Sequence, residues 1–237
     1  MPKSLARSSR NMQYDAIVCD EGQDFSEEFW LPLELLLSDY DKSPLYVFYD
    51  DNQNLYSRVG TFPIRDEPFS LTTNCRNTAQ IHEAAYVHYK GTPVDPPDIP
   101  GDDVKFEQSH SQYSQTTKIT ALIVELIAKQ GVAPCDITVL IADAIHKAEF
   151  YTALRKHALP RPATWLEEGV RGKTHVLIET IQRFKGLESP IVFLWGLDSI
   201  DLSQRQELLY VGMSRAKSML TIVGRESTCT MLKDATR

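Results

Sequence analysis

The chain has 237 residues, 42% hydrophobic and 24% charged, a composition ordinary for a globular protein of one large or two modest domains. Its formal charge of −7 argues against a uniformly basic coat for nucleic acid and leaves room for a local basic groove. Four widely spaced cysteines (Cys19, Cys75, Cys135, Cys229) form no CxxC pair, so neither a metal cluster nor a disulfide framework is expected, and a reduced, cytoplasmic setting fits. Met1 to Asn11 lacks the apolar core of a secretory signal, and the sequence has no run of 18 apolar residues.

Short runs rich in β-branched and aromatic residues predict buried strands at Ala16–Cys19, Leu45–Tyr49, Ile137–Ile141, Val176–Ile181, Ile191–Trp195 and Met219–Val223. Helical periodicity marks Glu27–Leu37, Ala79–Tyr89, Thr117–Lys129, Lys147–His157 and Ser203–Ser214. Strands alternating with helices imply parallel βαβ units, and so an α/β fold. Arg58–Pro68, punctuated by Gly60, Pro63 and Pro68, is the expected domain boundary, and the proline-rich Gly91–Asp103 a stiff surface loop. The segment before the boundary supplies two strands and one helix, too little to cover both faces of a parallel sheet. Either that half leans on the rest of the chain or its partner strands lie in other sequence.

Asp20 and Glu21 end the first strand, at the carboxyl edge where open α/β sheets bind ligands. Acids so placed suit a water-mediated Mg²⁺ ligand (Asp20) and a base that orients water (Glu21). The plain alternative is a solvated turn, with Asp24 or Ser26 capping the next helix. Asp50–Tyr56 closes the second strand with acids and amides, Gln53 among them, which could sense a phosphate or form an ordinary polar turn. Asn74-Cys-Arg-Asn77 precedes a helix whose expected N-cap is Asn77 or Thr78. Arg76 is there either a surface charge or a group able to reach a phosphate. In Thr180–Glu188, Lys185-Gly186 allows close backbone approach, and Glu188 could accept from a ribose hydroxyl. Leu208–Lys217 places Arg215 at a helix end beside Gly212 and Ala216, where covering the helix C-terminus is a competing role.

Taken in order (Asp-Glu-x-Gln-Asp, Asp-x-x-Gln, Asn-x-Arg, Lys-Gly-Leu-Glu, Tyr-Val-x-x-Ser-Arg-Ala), these blocks resemble the UvrD/Rep-type superfamily 1 DNA helicases, from their second motif through their sixth. The resemblance implies a parallel-sheet, RecA-like (P-loop NTPase-type) second motor domain at residues 65–237, preceded at residues 1–64 by the C-terminal remnant of a first. It implies an ATP-dependent DNA helicase moving 3′ to 5′, with ATP and Mg²⁺ as cofactors. Asp20 would hold the metal, Glu21 would be the hydrolytic base, and Gln53 would contact the γ-phosphate. Arg76 and Arg215 would be arginine fingers, with Gly186 beside the nucleotide and Glu188 on its sugar. Tyr56, Arg58, Thr180 and Gln182 would face single-stranded or partly duplex DNA, where stacking on a tyrosine contributes about 1–3 kcal/mol per base.

The sequence departs from the family in several places. It contains no GxxxxGK[ST] phosphate-binding loop, and Gly172-Lys-Thr174, with Glu167 where the first glycine belongs, reads as a turn before a strand. In the family that loop lies upstream of the acidic motif, so the chain reads as the C-terminal portion of a helicase, nearly inactive alone and dependent on a P-loop segment or another protein. Cys75 stands where the family usually stacks a tyrosine on adenine, Gln182 replaces a histidine, and Arg58 and Val59 replace an aromatic residue and an arginine. Too few residues separate Arg76 from Thr180 for the large accessory domain of many relatives. His82-Glu83 begins an HExxH pattern that fails at Tyr86. The alternative reading is a stand-alone nucleic-acid or protein interaction module without ATPase activity, docking through Lys3, Arg7 and Arg10. A nucleotide-binding fold unrelated to DNA would lack the Gln-bearing block and the Ser-Arg-Ala ending.

Overall fold

A computed structural model describes residues 13–50, 63–64, 66–91 and 94–236. Gln53, Tyr56 and Arg58 lie outside the described residues, as do Lys3, Arg7, Arg10 and part of the expected boundary. The chain divides into two compact units, Met1–Leu71 and Thr72–Arg237.

In the first unit β1 (Ile17–Cys19) and β2 (Leu45–Val47) pair in parallel, Ile17 opposite Leu45 and Cys19 opposite Val47. The helix expected over Glu27–Leu37 is broken into a 3₁₀ turn, Glu27–Phe29, and a short α1, Trp30–Glu34. Pro32, which has no N–H to donate, fits only in a first turn. Leu36 and Leu37 then leave the helix through tight bonds to the carbonyls of Leu33 and Glu34, each 3.0 Å, and Leu37 bridges to Tyr14. Trp30, Leu36, Leu37 and Cys19 are buried, whereas Val18 and Tyr46, opposite each other in the sheet, stay 63% and 56% exposed. A parallel sheet is normally covered on both faces, and among the described residues Val18 and Tyr46 mark an exposed face of this one.

The second unit is a six-stranded, all-parallel sheet in the order β3-β8-β7-β4-β6-β5, so the expected α/β architecture is present. Its strands are β3 (Lys105–Gln108), β4 (Ile137–Ile141), β5 (Thr164–Leu166), β6 (His175–Thr180), β7 (Ser189–Trp195) and β8 (Ala216–Gly224). The helices are α2 (Ala79–Tyr86), α3 (Gln112–Gln130), α4 (Lys147–Arg155), α5 (Gln206–Ser214) and α6 (Glu226–Ala235). The four strands expected from apolar runs form the centre, where burial on both faces demands continuous hydrophobicity, and every residue of β4 is buried. The unforeseen β3 and β5 are the sheet edges, and their Lys-Phe-Glu-Gln and Thr-Trp-Leu lack such a run. Helix α6, also unforeseen, buries a narrow face of Thr228, Cys229 and Leu232. Helix α3 starts earlier than its periodicity suggests because Ser111 and Ser114 form a capping box.

Ile119, Ile123, Val139, Ile178, Phe193 and Trp195 lie in the core between the sheet and its helices. Gly172-Lys-Thr174 is a turn leading into β6. No helix among the described residues is long and apolar enough to cross a membrane.

Strand direction decides which loops meet. Thr180 and Trp195 both flank Ile141 at the carboxyl edge of the sheet, while Ser189 pairs with Ala216 at the amino edge. Segment 181–188 therefore travels the full height of the sheet, about 20 Å for a six-residue strand.

Candidate functional site

In the first unit, Asp20 leaves β1 and Glu21 takes up a left-handed backbone, φ 54° and ψ 42°. That conformation costs an L residue about 1–2 kcal/mol, and such strain gathers where a side chain must be aimed. The turn is held by its neighbours: Glu21 N donates to Asp20 Oδ1 (2.9 Å) and Gln23 Nε2 to Glu21 Oε2 (2.6 Å). Gln23, which is buried, also accepts from Asp50 N (3.0 Å), and Gly22 N donates to Phe48 O (2.8 Å). The ends of both strands are thereby joined through Gln23. Ser26, the alternative cap, makes no side-chain capping bond.

In the second unit, the amino edge gathers three of the residues singled out from separate motifs. Arg76 Nε lies 3.2 Å from Glu188 Oε2, and Lys217 Nζ lies 2.7 Å from Glu188 Oε1. The hydrogen bond from Lys217, helped by the charges of Lys217, Arg76 and Arg215, holds the Glu188 carboxyl below its ordinary value against the opposing effect of burial. Arg76 and Glu188 side chains are both about half exposed to solvent.

Arg215 differs. It is 1% exposed, and its guanidinium donates to Val211 O (3.1 Å), Leu187 O (3.3 Å) and Ser214 Oγ (3.3 Å). Val211 O belongs to the last turn of α5, so the helix-covering role is present alongside the influence on Glu188. Gly212 lets this helix lie close to its neighbours: a Cβ there would fall 2.9 Å from Ile181 Cδ1 and 3.2 Å from Leu194 Cδ1.

Of the two expected caps, Asn77 and Thr78, it is Thr78 that occupies the cap position, and it makes no side-chain capping bond. The Asn77 amide, 2% exposed, donates instead to the carbonyls of Ser214 and Ala216, on either side of Arg215. Asn74 shapes the same loop: its Oδ1 accepts from Arg76 N (2.9 Å), and its Nδ2 donates to Asn77 Oδ1 and to His82 Nδ1, 2.9 Å each. Because Asn74 Nδ2 can only donate, His82 accepts at Nδ1 and is neutral, in keeping with the burial that pushes its pKa down.

The carboxyl edge carries a different set. Thr180 is buried at 2% exposure, with its Oγ1 accepting from Arg183 N, while Gln182 is half-buried. Further along the 181–188 segment Gly186 takes φ 77°, a conformation that suits the close backbone approach read from Lys185-Gly186. The loops that follow β4 and β7 at the carboxyl edge hold a cluster with no signal in the sequence: the buried Asp143 accepts from Ser199 Oγ (2.7 Å) and lies 2.7 Å from His146 Nδ1. Ser199 donates to the aspartate and not to the histidine, so this is not a nucleophile–base pair. The contacts of Gln23, Asn77 and Lys217 likewise have no local signal in the sequence. Lys217 at least closes the Ser-Arg-Ala block.

Residues 175–223 match the UvrD-like helicase C-terminal domain family. This stretch carries a UvrD-like helicase signature. It covers about a fifth of the chain, from β6 through nearly all of β8, and contains Thr180, Gln182, Gly186, Glu188, Arg215 and Lys217. Among solved structures, the C-terminal domain of a possible DNA helicase from Lactobacillus plantarum WCFS1 is similar at 17% identity and a TM-score of 0.47, over 66% of this chain and 91% of that one. No curated protein matches the chain.

Proposed function

We propose that the chain is part of an ATP-dependent DNA helicase. In this reading residues 65–237 are the second RecA-like motor domain, and residues 1–64 belong to a first. The observation that carries it is the meeting of Arg76, Glu188 and Arg215 at one sheet edge, from motifs more than 100 residues apart in part, within or beside the UvrD-like stretch. Arg76 and Arg215 serve as arginine fingers to the ATP phosphates, and Glu188 accepts from the ribose. Glu21 orients the attacking water and Gln53 contacts the γ-phosphate. Tyr56, Arg58 and Gln182 face single-stranded DNA, along which the motor moves 3′ to 5′, while the buried Thr180, expected beside them, holds the turn behind Gln182 through Arg183 N.

Mg²⁺ takes hard oxygen ligands and keeps several waters, needing only one or two carboxylates. Asp20, an exposed carboxylate with one oxygen already held by Glu21 N, fits that requirement. Among the described residues no group of three or more His, Cys, Asp or Glu side chains could hold a metal, so an all-protein cage does not fit. When bound, the ion neutralises phosphate charge.

The 237 residues contain no phosphate-binding loop, so in this reading another polypeptide segment supplies it. The test is ATP hydrolysis with single-stranded DNA, with and without an added polypeptide bearing a GxxxxGK[ST] loop. Little turnover alone and DNA-stimulated turnover with the added segment support the proposal. Brisk turnover by the 237-residue chain alone would overturn the dependence on that segment.

The open face at Val18 and Tyr46 favours a second reading, an interaction module without ATPase activity. Salt-sensitive binding of single-stranded DNA with no hydrolysis under either condition would select it.

A further inference from the structure

Arg76 and Glu188 hold each other through Nε and Oε2, so a phosphate drawn to Arg76 competes with the carboxylate, and a nucleotide drawn to Glu188 competes with the arginine. Both groups are half exposed, so an incoming anion can compete for the arginine. What becomes of the carboxylate when Arg76 turns away depends on its other partner. Lys217 makes the shorter contact, 2.7 Å against 3.2 Å, and on the other carboxylate oxygen.

The backbone explains why Lys217 is aimed there. The ladder between β7 and β8 slips between Ser189 and Ile191: Ser189 pairs with Ala216, but Ile191 pairs with Met219. Pro190, between the two, cannot donate to a ladder. The extra residue on β8 falls at Lys217–Ser218, and a bulge of this kind turns a side chain away from the regular alternation. Lys217 O is in turn held by Thr78 N (3.1 Å), in the segment that follows Arg76.

We infer that Lys217 is a positioning residue: its ammonium keeps Glu188 in place while Arg76 exchanges the carboxylate for a phosphate of the bound nucleotide. The inference rests on the nucleotide role proposed above for Arg76 and Glu188. It differs from a direct lysine–phosphate contact, because Lys217 acts only through Glu188.

The experiment uses the full 237-residue chain and inorganic triphosphate as the probe, with binding followed by calorimetry and by the NMR signal of the Arg76 Nε–H. Lys217→Met weakens binding about two- to fivefold, the range of a partly exposed charge pair, and Lys217→Arg restores it. In a Glu188→Gln background the same Lys217→Met change has little effect. An equal loss in both backgrounds means that Lys217 touches the phosphate itself and overturns the assignment. A ligand-free readout accompanies it: the Glu188 carboxyl titrates at higher pH in Lys217→Met than in the unaltered chain, and an unchanged midpoint overturns the assignment even where triphosphate binds. Absence of triphosphate binding with the midpoint shifted in Lys217→Met strikes at the nucleotide reading, and the exchange falls with it, while the Lys217–Glu188 contact stands.

Discussion

The side-chain amide of Asn77 donates to the carbonyl of Ser214 at 2.9 Å, across 137 residues of sequence. The same nitrogen donates to Ala216 O at 2.5 Å, Ser189 N donates to Arg215 O, and Thr78 N donates to Lys217 O. Four successive carbonyls around Arg215 are thus satisfied by two other segments, one of them the loop that carries Arg76. Asn77→Ala leaves two of these acceptors unmet in a buried setting, and each such loss costs about 1–3 kcal/mol. Urea unfolding of the variant is expected to show a loss of about 2–4 kcal/mol, and a loss under about 0.5 kcal/mol would mean that the clamp contributes nothing.

Asn77 also shows where reading the sequence runs out. An asparagine before an amphipathic run is locally a cap, and nothing nearby in sequence announces acceptors in the Ser214–Ala216 segment. Tertiary partners outcompeted the local one. Arg76, Glu188 and Arg215 were legible because their neighbours in sequence form recognisable blocks, yet the Arg76–Glu188 pairing was not, since an ion pair between distant loops leaves no periodic trace. The central strands were legible because burial on both faces requires unbroken apolar runs. Edge strands β3 and β5 escape that requirement and escaped notice. Asp143, His146 and Ser199 come from two loops that only the strand order of the sheet brings together.

That cluster predicts a pH dependence. Burial by itself would raise the Asp143 carboxyl, but hydrogen bonds from Ser199 and His146 outweigh it and hold the group below 3.8, while the bond to Asp143 raises His146 above 6.5. The histidine's contribution to stability is fully present below pH 6.5 and is lost as pH rises through its raised folded value. The aspartate's contribution is present above pH 3.8 and is lost as pH falls through its lowered folded value. Stability referred to a His146→Asn variant should therefore be greatest between these limits and decline as pH rises through the raised His146 value. NMR titration of His146 checks the sign directly, since a midpoint at or below 6.5 contradicts the pairing.

Gly212→Ala tests how closely α5 must pack. A glycine-to-alanine change inside a helix ordinarily gains about 1 kcal/mol. Here the new methyl meets Ile181 Cδ1 and Leu194 Cδ1 at 2.9 and 3.2 Å, and both side chains are fully buried. Overpacking costs about 1–3 kcal/mol, so the net change is a loss of up to about 2 kcal/mol, or a fall in Tm of up to about 8 °C for a unit of this size. A rise in Tm on thermal melting would show that the neighbours yield freely.

The two arginines should separate cleanly in a paired experiment. Arg76 is half exposed and ion-paired, and such pairs contribute at most about 1 kcal/mol. Arg76→Ala should therefore unfold at nearly the same urea concentration as the unaltered chain while losing affinity for triphosphate. Arg215→Ala removes a buried guanidinium from Val211 O, Leu187 O and Ser214 Oγ, and costs about 3 kcal/mol or more. Arg215→Lys does little better, because one ammonium on a flexible stem cannot reproduce the planar fork that reaches three acceptors. Loss of binding in Arg215 variants has to be measured per folded molecule, whereas in Arg76→Ala it can be taken at face value. Equal stability of the two alanine variants would show that the Arg215 hydrogen bonds add nothing to the fold and would leave phosphate binding as its main role.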